Sequence, residues 1–383
     1  MKVGILSPSS ATYPLIAFEF MDGLKTYLKN QGQLSGVEMV NDSVGYGGQE
    51  KEIYTKAEKL LMIDDIDVLL AFIDLKVLDI LTPLIYASGK LMIVINPGAN
   101  YPTNWVPAGN IIHLSLLDAF CCWMTAEYAS RENEKSAIAA STFYDCGYLH
   151  SAAMSKCFWK NGGQIVYNYI NNNRYDETFA ITELANFISE NKEVKNILCQ
   201  FDAKPAHLLY SKLNELTDSE KLKLFVSPMM LQESVINSSV ETAKFNISGH
   251  QVWSPNLSND TNNLFHKVLQ ENGKKAPTIF TLLGWETAMI LDQIMNIENI
   301  SLNDGESIVN KLKSEKFNSP RGEMFLDTDT QFYISKPYYY EIMDGRINGR
   351  QEQEAYVLEQ WQHFISEPTQ GAITGWMNTY LCY

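Results

Sequence analysis

The stretch that decides the fold is residues 66–98, which read IDVLLAFIDLKVLDILTPLIYASGKLMIVINPG. It begins with a continuous apolar run at residues 66–73, continues with a helical pattern at 75–87, and ends with a second apolar run at 91–95. Strands that are apolar without alternation are typical of a parallel sheet covered on both faces. The stretch therefore predicts a strand–helix–strand unit of a doubly wound α/β sheet.

The same alternation extends on both sides of this stretch. Toward the N-terminus, a strand at 2–7 precedes a helix in which Phe18, Met21, Leu24 and Leu28 recur at spacings of three and four. After residue 118 the alternation restarts, with strands predicted at 137–141, 164–170, 196–201 and 222–227. From residue 261 onward helices dominate, and we expect them to pack on the first sheet. The pattern predicts two successive α/β sheets and thus two lobes.

Composition and charge argue against some classes of binding partner. The 383 residues contain 45 Asp and Glu against 30 Lys and Arg, a formal net charge of −15. Such a field repels phosphate backbones and anionic lipid surfaces, which argues against nucleic acid as a partner and against membrane insertion. The apolar runs are far shorter than the ~18 residues that a membrane-spanning helix needs. The N-terminus shows no signal peptide, so the chain is expected to be either cytoplasmic or the processed form of an exported precursor.

Motifs for catalysis, metal ions and cofactors are absent from the sequence. There is no G-x-G-x-x-G after the first strand, no P-loop and no G-x-S-x-G. The six histidines are dispersed without metal-ligand spacing, and Asp64-Asp65 and the Asp327/Asp329 pair lie in predicted turns. The six cysteines form no disulfide framework, which favours buried free thiols. We therefore expect no catalytic residues, no metal and no cofactor.

The order of elements and several motifs resemble the type I periplasmic binding proteins, especially the branched-chain amino acid (leucine/isoleucine/valine) branch of ABC-transporter solute receptors. The resemblance covers residues 2–345. It is carried by five motifs in this order: Phe20-Met21-Asp22-Gly23-Leu24, the stretch GKLMIVINPGAN at 89–100, the Cys146-Gly147 turn, the long helix at 277–290, and SPRGEMFLD at 319–327.

This resemblance implies a fold, a mechanism and a partner. The fold is two lobes, each a doubly wound parallel sheet flanked by helices, joined by a three-strand hinge with the ligand cleft between them. Lobe one would comprise 1–116 plus 250–325, and lobe two 117–249 plus 326–383. The protein would be a non-enzymatic, periplasmic or cell-surface binding protein that captures a small molecule by hinge closure and delivers it to an ABC permease.

Candidate ligand-binding residues follow from the sheets themselves. In doubly wound sheets, ligands bind outside the carboxyl ends of the strands. The loops at those ends contain polar aromatic side chains suited to a cleft. The residues predicted on this ground are Tyr13, Tyr46, Tyr101, Tyr144, Tyr148, Phe201 and Asp202. Trp253 and Trp285 are weaker candidates, and Trp285 lies in an apolar helix typical of a core.

The family resemblance adds positions of its own. The strand-end residue that offers a hydroxyl to the ligand carboxylate aligns near Asp74-Leu75, and the next loop aligns at Gly98 and Asn100. Asn100 is expected to grip the polar head of the ligand. Cys146 replaces the covering tyrosine of the family, and Pro228-Met229 stands where the family has an acidic partner for an ammonium group. These departures argue against an ordinary α-amino acid and make an aromatic or apolar small molecule as plausible.

Two alternatives stay open at the level of sequence. The first is a ligand sensor with the same fold, which binds a partner protein instead of a permease. The second is an α/β enzyme with an unrecognised site, for which a perturbed carboxylate or a Cys146 thiolate in the cleft would be the discriminating feature.

Overall fold

The computed structural model describes residues 1–98, 102, 104–142, 147–171, 178–236 and 243–367. Its strands are β1 (Lys2–Ser7), β2 (Glu38–Ser43), β3 (Val68–Ala71), β4 (Leu91–Asn96), β5 (Ile111–Ser115), β6 (Ser136–Thr142), β7 (Gln164–Asn171), β8 (Asn196–Gln200), β9 (Lys223–Val226), β10 (Asn246–Gln251), β11 (Lys316–Ser319), β12 (Gly322–Leu326), β13 (Tyr333–Ser335), β14 (Tyr338–Met343) and β15 (Arg346–Gln351). Its helices are α1 (Ile16–Asn30), α2 (Glu50–Met62), α3 (Leu78–Ser88), α4 (Asp118–Ser130), α5 (Gly147–Lys160), α6 (Thr182–Glu190), α7 (Ala203–Asn214), α8 (Glu233–Ile236), α9 (Asp260–Glu271), α10 (Ile279–Met295), α11 (Gly305–Leu312) and α12 (Glu354–Ile365).

These strands form two large sheets and one small one. The first sheet has the order β2-β1-β3-β4-β5 and is parallel throughout. The second has the order β15-β14-β10-β9-β8-β6-β7, with β14 and β15 antiparallel at one edge. The third, β11-β12-β13, is antiparallel and is bridged to the first sheet where His113 pairs with Phe332. We call the first sheet with its helices the first lobe, and the second sheet with its helices the second lobe.

The two-lobe α/β fold predicted from the sequence is thereby confirmed. The two apolar runs predicted at residues 66–73 and 91–95 contain β3 and most of β4, strands in which every residue is buried. Along the described chain the polypeptide passes between the two large sheets three times: after β5, after β10, and between β13 and β14. The residue limits of the lobes given by the sequence remain a prediction.

The late helices return to the first lobe, and a close helix crossing sets their position. Helix α10 packs on α1, and a Cβ added at Gly23 would lie 1.9 Å from the carbonyl oxygen of Thr281. A Cβ at Gly284 would lie 1.9 Å from the carbonyl oxygen of Phe20. Only glycine permits this approach of two backbones. The crossing brings the N-terminal ends of both helices to the same edge of the lobe.

One residue of the predicted apolar stripe of α1 faces solvent. Phe18 was expected on the core stripe, and that prediction is wrong, because its side chain is 72% exposed. The predicted Leu24 and Leu28 are buried, and Ile16, Phe20 and Tyr27 join them on the buried face, together with Gly23. Gly23 lies on this buried face, where α1 crosses α10.

A buried ion pair ties the first crossing to the late segments. The Arg321 guanidinium donates from Nε and Nη2 to the two carboxylate oxygens of Glu286, both at 2.8 Å, and from Nη1 to the Ser115 carbonyl at 2.7 Å. Both side chains are fully buried. Burial raises the pKa of Glu286, while the charge of Arg321 opposes that shift. This pair joins α10, the end of β5 and the turn between β11 and β12.

Helix α12 covers the hinge side with aromatic rings. The Trp361 ring lies 5.2 Å from that of Phe120 in α4 and 6.0 Å from that of Phe332, centroid to centroid. The Trp123 indole N–H donates to Gln360 at 3.1 Å. Helix α12 thus packs on α4 and also on Phe332, the residue that pairs with the first sheet.

Candidate functional site

The carboxyl ends of the strands in the first sheet meet at one edge of the first lobe. Gly98 follows β4 and has a φ of 105°, a conformation open mainly to glycine. A Cβ there would lie 2.4 Å from the backbone nitrogen of Asp118, and the Gly98 carbonyl accepts from the N–H of Ala119 at 2.9 Å. The glycine at 98 is therefore required by the packing of this loop on the start of α4.

Asp74 follows β3 at the same edge. Its side chain is 6% exposed and accepts a hydrogen bond from the N–H of Lys76 at 3.2 Å, which caps a short 3-10 turn at Leu75–Val77. Burial raises the pKa of the Asp74 carboxyl, against the opposing effect of the Lys76 N–H. The side chain of Leu75 is buried in the core of the first lobe. Tyr46, after β2, is 37% exposed and accepts from the side-chain amide of Gln49 at 2.7 Å.

Two of the predicted site residues meet across the cleft. The Tyr13 hydroxyl, from the loop between β1 and α1, donates to Oδ1 of Asp202 at 2.5 Å. Asp202 follows β8 in the second lobe and is 2% exposed. Its neighbour Phe201 is fully buried in the core of the second lobe. The Tyr13–Asp202 contact places the strand ends of the two sheets opposite each other.

Apolar side chains pack around that hydrogen bond. Ile16 at the start of α1, Met229 after β9 and Phe280 in the first turn of α10 form a small buried cluster with Tyr13 against it. The Tyr13 and Phe280 rings meet edge to face, with centroids 5.4 Å apart. Ile16 and Phe280 are neighbours because of the α1–α10 crossing. The cluster therefore joins both lobes beside Tyr13.

A cavity of about 360 Å³ opens next to this cluster. On the first-lobe side its walls are Tyr13, Glu19 and the segment 276–280 that starts α10. On the second-lobe side they are residues 231–234, and at the second crossing they are Gln251 and residues 253–255. A further cavity of about 500 Å³ adjoins it and shares Leu231, Glu233, Gln251 and Ser254. The described part of the cleft is thus lined by both lobes and by a connection between them.

Two carboxylates line the smaller cavity. Oε2 of Glu19 accepts from the Thr278 hydroxyl at 2.8 Å. Burial raises the pKa of Glu19, although the Thr278 hydrogen bond and the charge of Lys275 act in the opposite direction. Glu233, the first residue of α8, accepts from the side-chain amide of Asn256.

Several predicted site residues lie outside the described residues: Asn100, Tyr101, Tyr144 and Cys146. Tyr148 lies in α5, and its side chain belongs to the same undescribed set. Their part in a ligand site stays a prediction.

Sequence reasoning did not identify Glu19, Glu233, Thr278 or Phe280, and it placed Trp253 only as a weak candidate. Thr278 had a detectable signal, since a threonine three residues before Thr281 opens an apolar helix as in a capping box. Glu233 had no such sequence signal, because the helix that places it at the cavity is only four residues long. Trp285 lies in the core, 1% exposed and edge to face with Tyr27.

The described cysteines and Asp327, which could suggest catalysis or metal binding, have structural roles. Cys121, Cys122, Cys157 and Cys199 are free and buried, and burial raises the pKa of each thiol. Asp327 accepts from the N–H and hydroxyl of Thr330 in its turn. Among the described residues, no group of three or more His, Cys, Asp or Glu side chains could hold a metal ion.

Comparison with known proteins identifies the family. The family model described as periplasmic binding protein matches residues 1–346. The chain therefore belongs to the periplasmic binding protein family, as its sequence motifs indicated. Members of this family are ligand binders and not enzymes, so the chain is a non-enzymatic binding protein. No curated protein sequence matches the chain.

Solved structures share the fold across nearly the whole chain. A solute-binding protein of an ABC transporter from R. palustris, in complex with benzoate, is 20% identical with a TM-score of 0.68 over 91% of this chain and 95% of its own. An ABC transporter substrate-binding protein from Sphaerobacter thermophilus is 14% identical with a TM-score of 0.74, covering 92% and 97%. A leucine binding protein from Thermotoga maritima is 13% identical with a TM-score of 0.63, covering 91% and 97%. At these identities the likeness establishes the fold.

None of the described helices is both long enough and apolar enough to cross a lipid bilayer.

Proposed function

We propose that this chain is the extracytoplasmic solute-binding protein of an ABC importer, which captures a small molecule between its lobes and presents the closed form to a permease. The observation that carries the proposal is the contact of Tyr13 with Asp202, which joins the strand ends of the two large sheets. A bond between lobes at the mouth of a cleft is suited to an equilibrium between open and closed forms that a ligand can shift.

The ligand class is an amino acid or a related small polar or aromatic compound. Polar groups and an aromatic ring lie at the facing strand ends and beside them: the Asp74 and Asp202 carboxyls, the Tyr13 hydroxyl and the Phe280 ring. Such a mixture of apolar walls with a few placed polar groups is typical of small-molecule sites. The R. palustris protein with benzoate supports an aromatic ligand, and the Thermotoga maritima leucine binding protein supports an amino acid.

The proposed ligand-binding set keeps every strand-end residue predicted from the sequence. Within it, Tyr13, Asp74 and Asp202 have the strongest support, because their side chains lie at the facing strand ends and carry polar atoms. Leu75 and Phe201 have the weakest support, since both side chains are buried in the lobe cores.

A ligand screen tests the proposal. The melting temperature of the purified protein is measured with branched-chain amino acids, aromatic acids, amides, amines and sugars. Each compound that raises it is then titrated by calorimetry. A true ligand at 100 times its Kd stabilises the folded state by about 2.7 kcal/mol and reduces the radius of gyration in X-ray scattering. Absence of saturable binding across the whole panel would refute the proposal.

A further inference from the structure

The cavity of about 360 Å³ beside Tyr13 has a distinctive charge. Its described lining residues include the carboxylates of Glu19 and Glu233 and no lysine, arginine or histidine. Lys274, close in sequence to the lining segment 276–280, is held by Asp22 through an ion pair of 2.6 Å. Lys275 reaches Glu19 only through its charge and is an exposed side chain. The walls of this cavity thus favour a cation over an anion.

We infer that this cavity is the part of the ligand site that binds a protonated amine, so that the solute is a monocationic amine with an aromatic or aliphatic body. The inference rests on the proposed function and names its ligand class. Glu19 and Glu233 stand on different lobes, in α1 and at the start of α8. An ammonium group between them would be bound from both sides of the groove and would favour the closed form.

The environment of Glu19 favours an ammonium group beside its carboxylate. Glu19 is partly buried, and its hydrogen bond from the Thr278 hydroxyl at 2.8 Å leaves its burial only partly compensated, since its pKa is still raised. A cation beside a carboxylate removed from water relieves that imbalance. An anionic ligand placed here would add a like charge to two carboxylates, and the net charge of −15 on the chain adds to the repulsion.

The remaining walls suit the body of such a ligand. Tyr13, Trp253 and Phe280 contribute aromatic rings, and Trp253 is held by a hydrogen bond from its indole N–H to Asn262 at 2.9 Å. Aromatic faces attract ammonium groups and also bury apolar surface. The volume lies within the range of roughly 300–1,000 Å³ usual for small-molecule sites.

A matched series of probes tests the charge. Phenethylamine, phenethyl alcohol and 3-phenylpropionate have nearly the same shape and carry a positive, zero and negative charge at pH 7.5. Calorimetry on the full chain should show saturable binding of phenethylamine, with the alcohol weaker by about tenfold or more and no binding of the anion. Glu19→Gln and Glu233→Gln should each weaken phenethylamine by about tenfold or more. Glu271→Gln, an exposed carboxylate on α9, is the matched control and should leave binding unchanged.

The outcomes separate this inference from the proposed function. Saturable binding of 3-phenylpropionate or benzoate, unaffected by Glu19→Gln and Glu233→Gln but weakened by Tyr13→Phe, refutes the amine inference and supports the solute-binding function. Phenethylamine binding that both glutamate variants retain also refutes the inference. No binding of any solute refutes both.

Discussion

The Tyr13–Asp202 hydrogen bond offers the sharpest test of how the two lobes cooperate. Tyr13→Phe removes only the hydroxyl and keeps the ring that meets Phe280 at 5.4 Å. The lost bond is 2.5 Å long and ends on a carboxylate that is 2% exposed. Hydrogen bonds to charged groups contribute about 1.5–3 kcal/mol. We therefore expect the closed form to become about 10- to 150-fold less populated relative to the open form.

This loss should appear in ligand affinity. If the ligand needs the closed form and the open form predominates without ligand, the apparent Kd rises by the same factor of about 10 to 150. Calorimetry on the best compound of the screen measures it, and X-ray scattering at a ligand concentration near the wild-type Kd should show a larger radius of gyration for the variant than for the wild type. Thermal unfolding should change little, because each lobe keeps its own core.

A double-mutant cycle assigns the effect to the bond itself. Asp202→Ala, which removes the acceptor, should weaken binding as Tyr13→Phe does, and the double variant should be little worse than either single one. Tyr86→Phe, on an exposed tyrosine of α3, is the matched control. Additive effects of the two substitutions, or an unchanged Kd and radius in Tyr13→Phe, would show that the contact does not govern closure.

Three further substitutions test other parts of the structure. Glu286→Gln should destabilise the protein by about 3–5 kcal/mol, since it leaves the buried guanidinium of Arg321 unpaired, and urea unfolding with an unchanged midpoint would contradict this. Burial lowers the pKa of His113 from 6.5 to about 3, so the stability due to its neutral form is complete above pH 6.5 and is lost as the pH falls toward 3, by about 1.4 kcal/mol per pH unit. The substitution His113→Phe should therefore flatten the fall in the urea midpoint between pH 7 and pH 4. A fall as steep as in the wild type would exclude His113 as its source. Asn100→Ala should raise the Kd by a factor of about 5 to 150 with little change in melting temperature, whereas a lower melting temperature with unchanged Kd would remove Asn100 from the site.

The sequence predicted the buried strands β3 and β4 but missed β5 and β10, which are also largely buried. Strand β3 is apolar throughout and β4 is apolar up to its last residue, Asn96, and both were recognised. Strand β10 reads NISGHQ and was missed, although it lies inside the second sheet. Its His250 is fully buried; the His250 N–H donates to the Thr125 hydroxyl at 2.9 Å, and Nε2 lies 3.3 Å from Glu352. A polar strand whose side chains are paired by distant residues has no local hydrophobic signal.

The site could be predicted only as a set of loops. The rule that ligands bind at the carboxyl ends of parallel strands selected both Tyr13 and Asp202. It could not pair them, because they are 189 positions apart and meet only when two lobes face each other. Nor could it include Glu19 and Phe280, whose positions depend on the backbone contact of Gly23 with α10. Which loop residues face the cleft is decided by packing between elements that are remote in sequence.

The distribution of strong and weak contacts explains how one small solute could control the whole molecule. On the hinge side, a fully buried ion pair fixes the end of β5, and aromatic rings of α12 pack on α4 and Phe332. At the cleft, contacts between the lobes include the Tyr13–Asp202 bond and the small cluster around Ile16 and Met229. One bond of about 1.5–3 kcal/mol is similar to the 2.7 kcal/mol or so that a ligand contributes at 100 times its Kd. The cleft contacts are therefore weak enough for a solute to shift the balance, while the hinge contacts are strong enough to keep the lobes in register as they open and close.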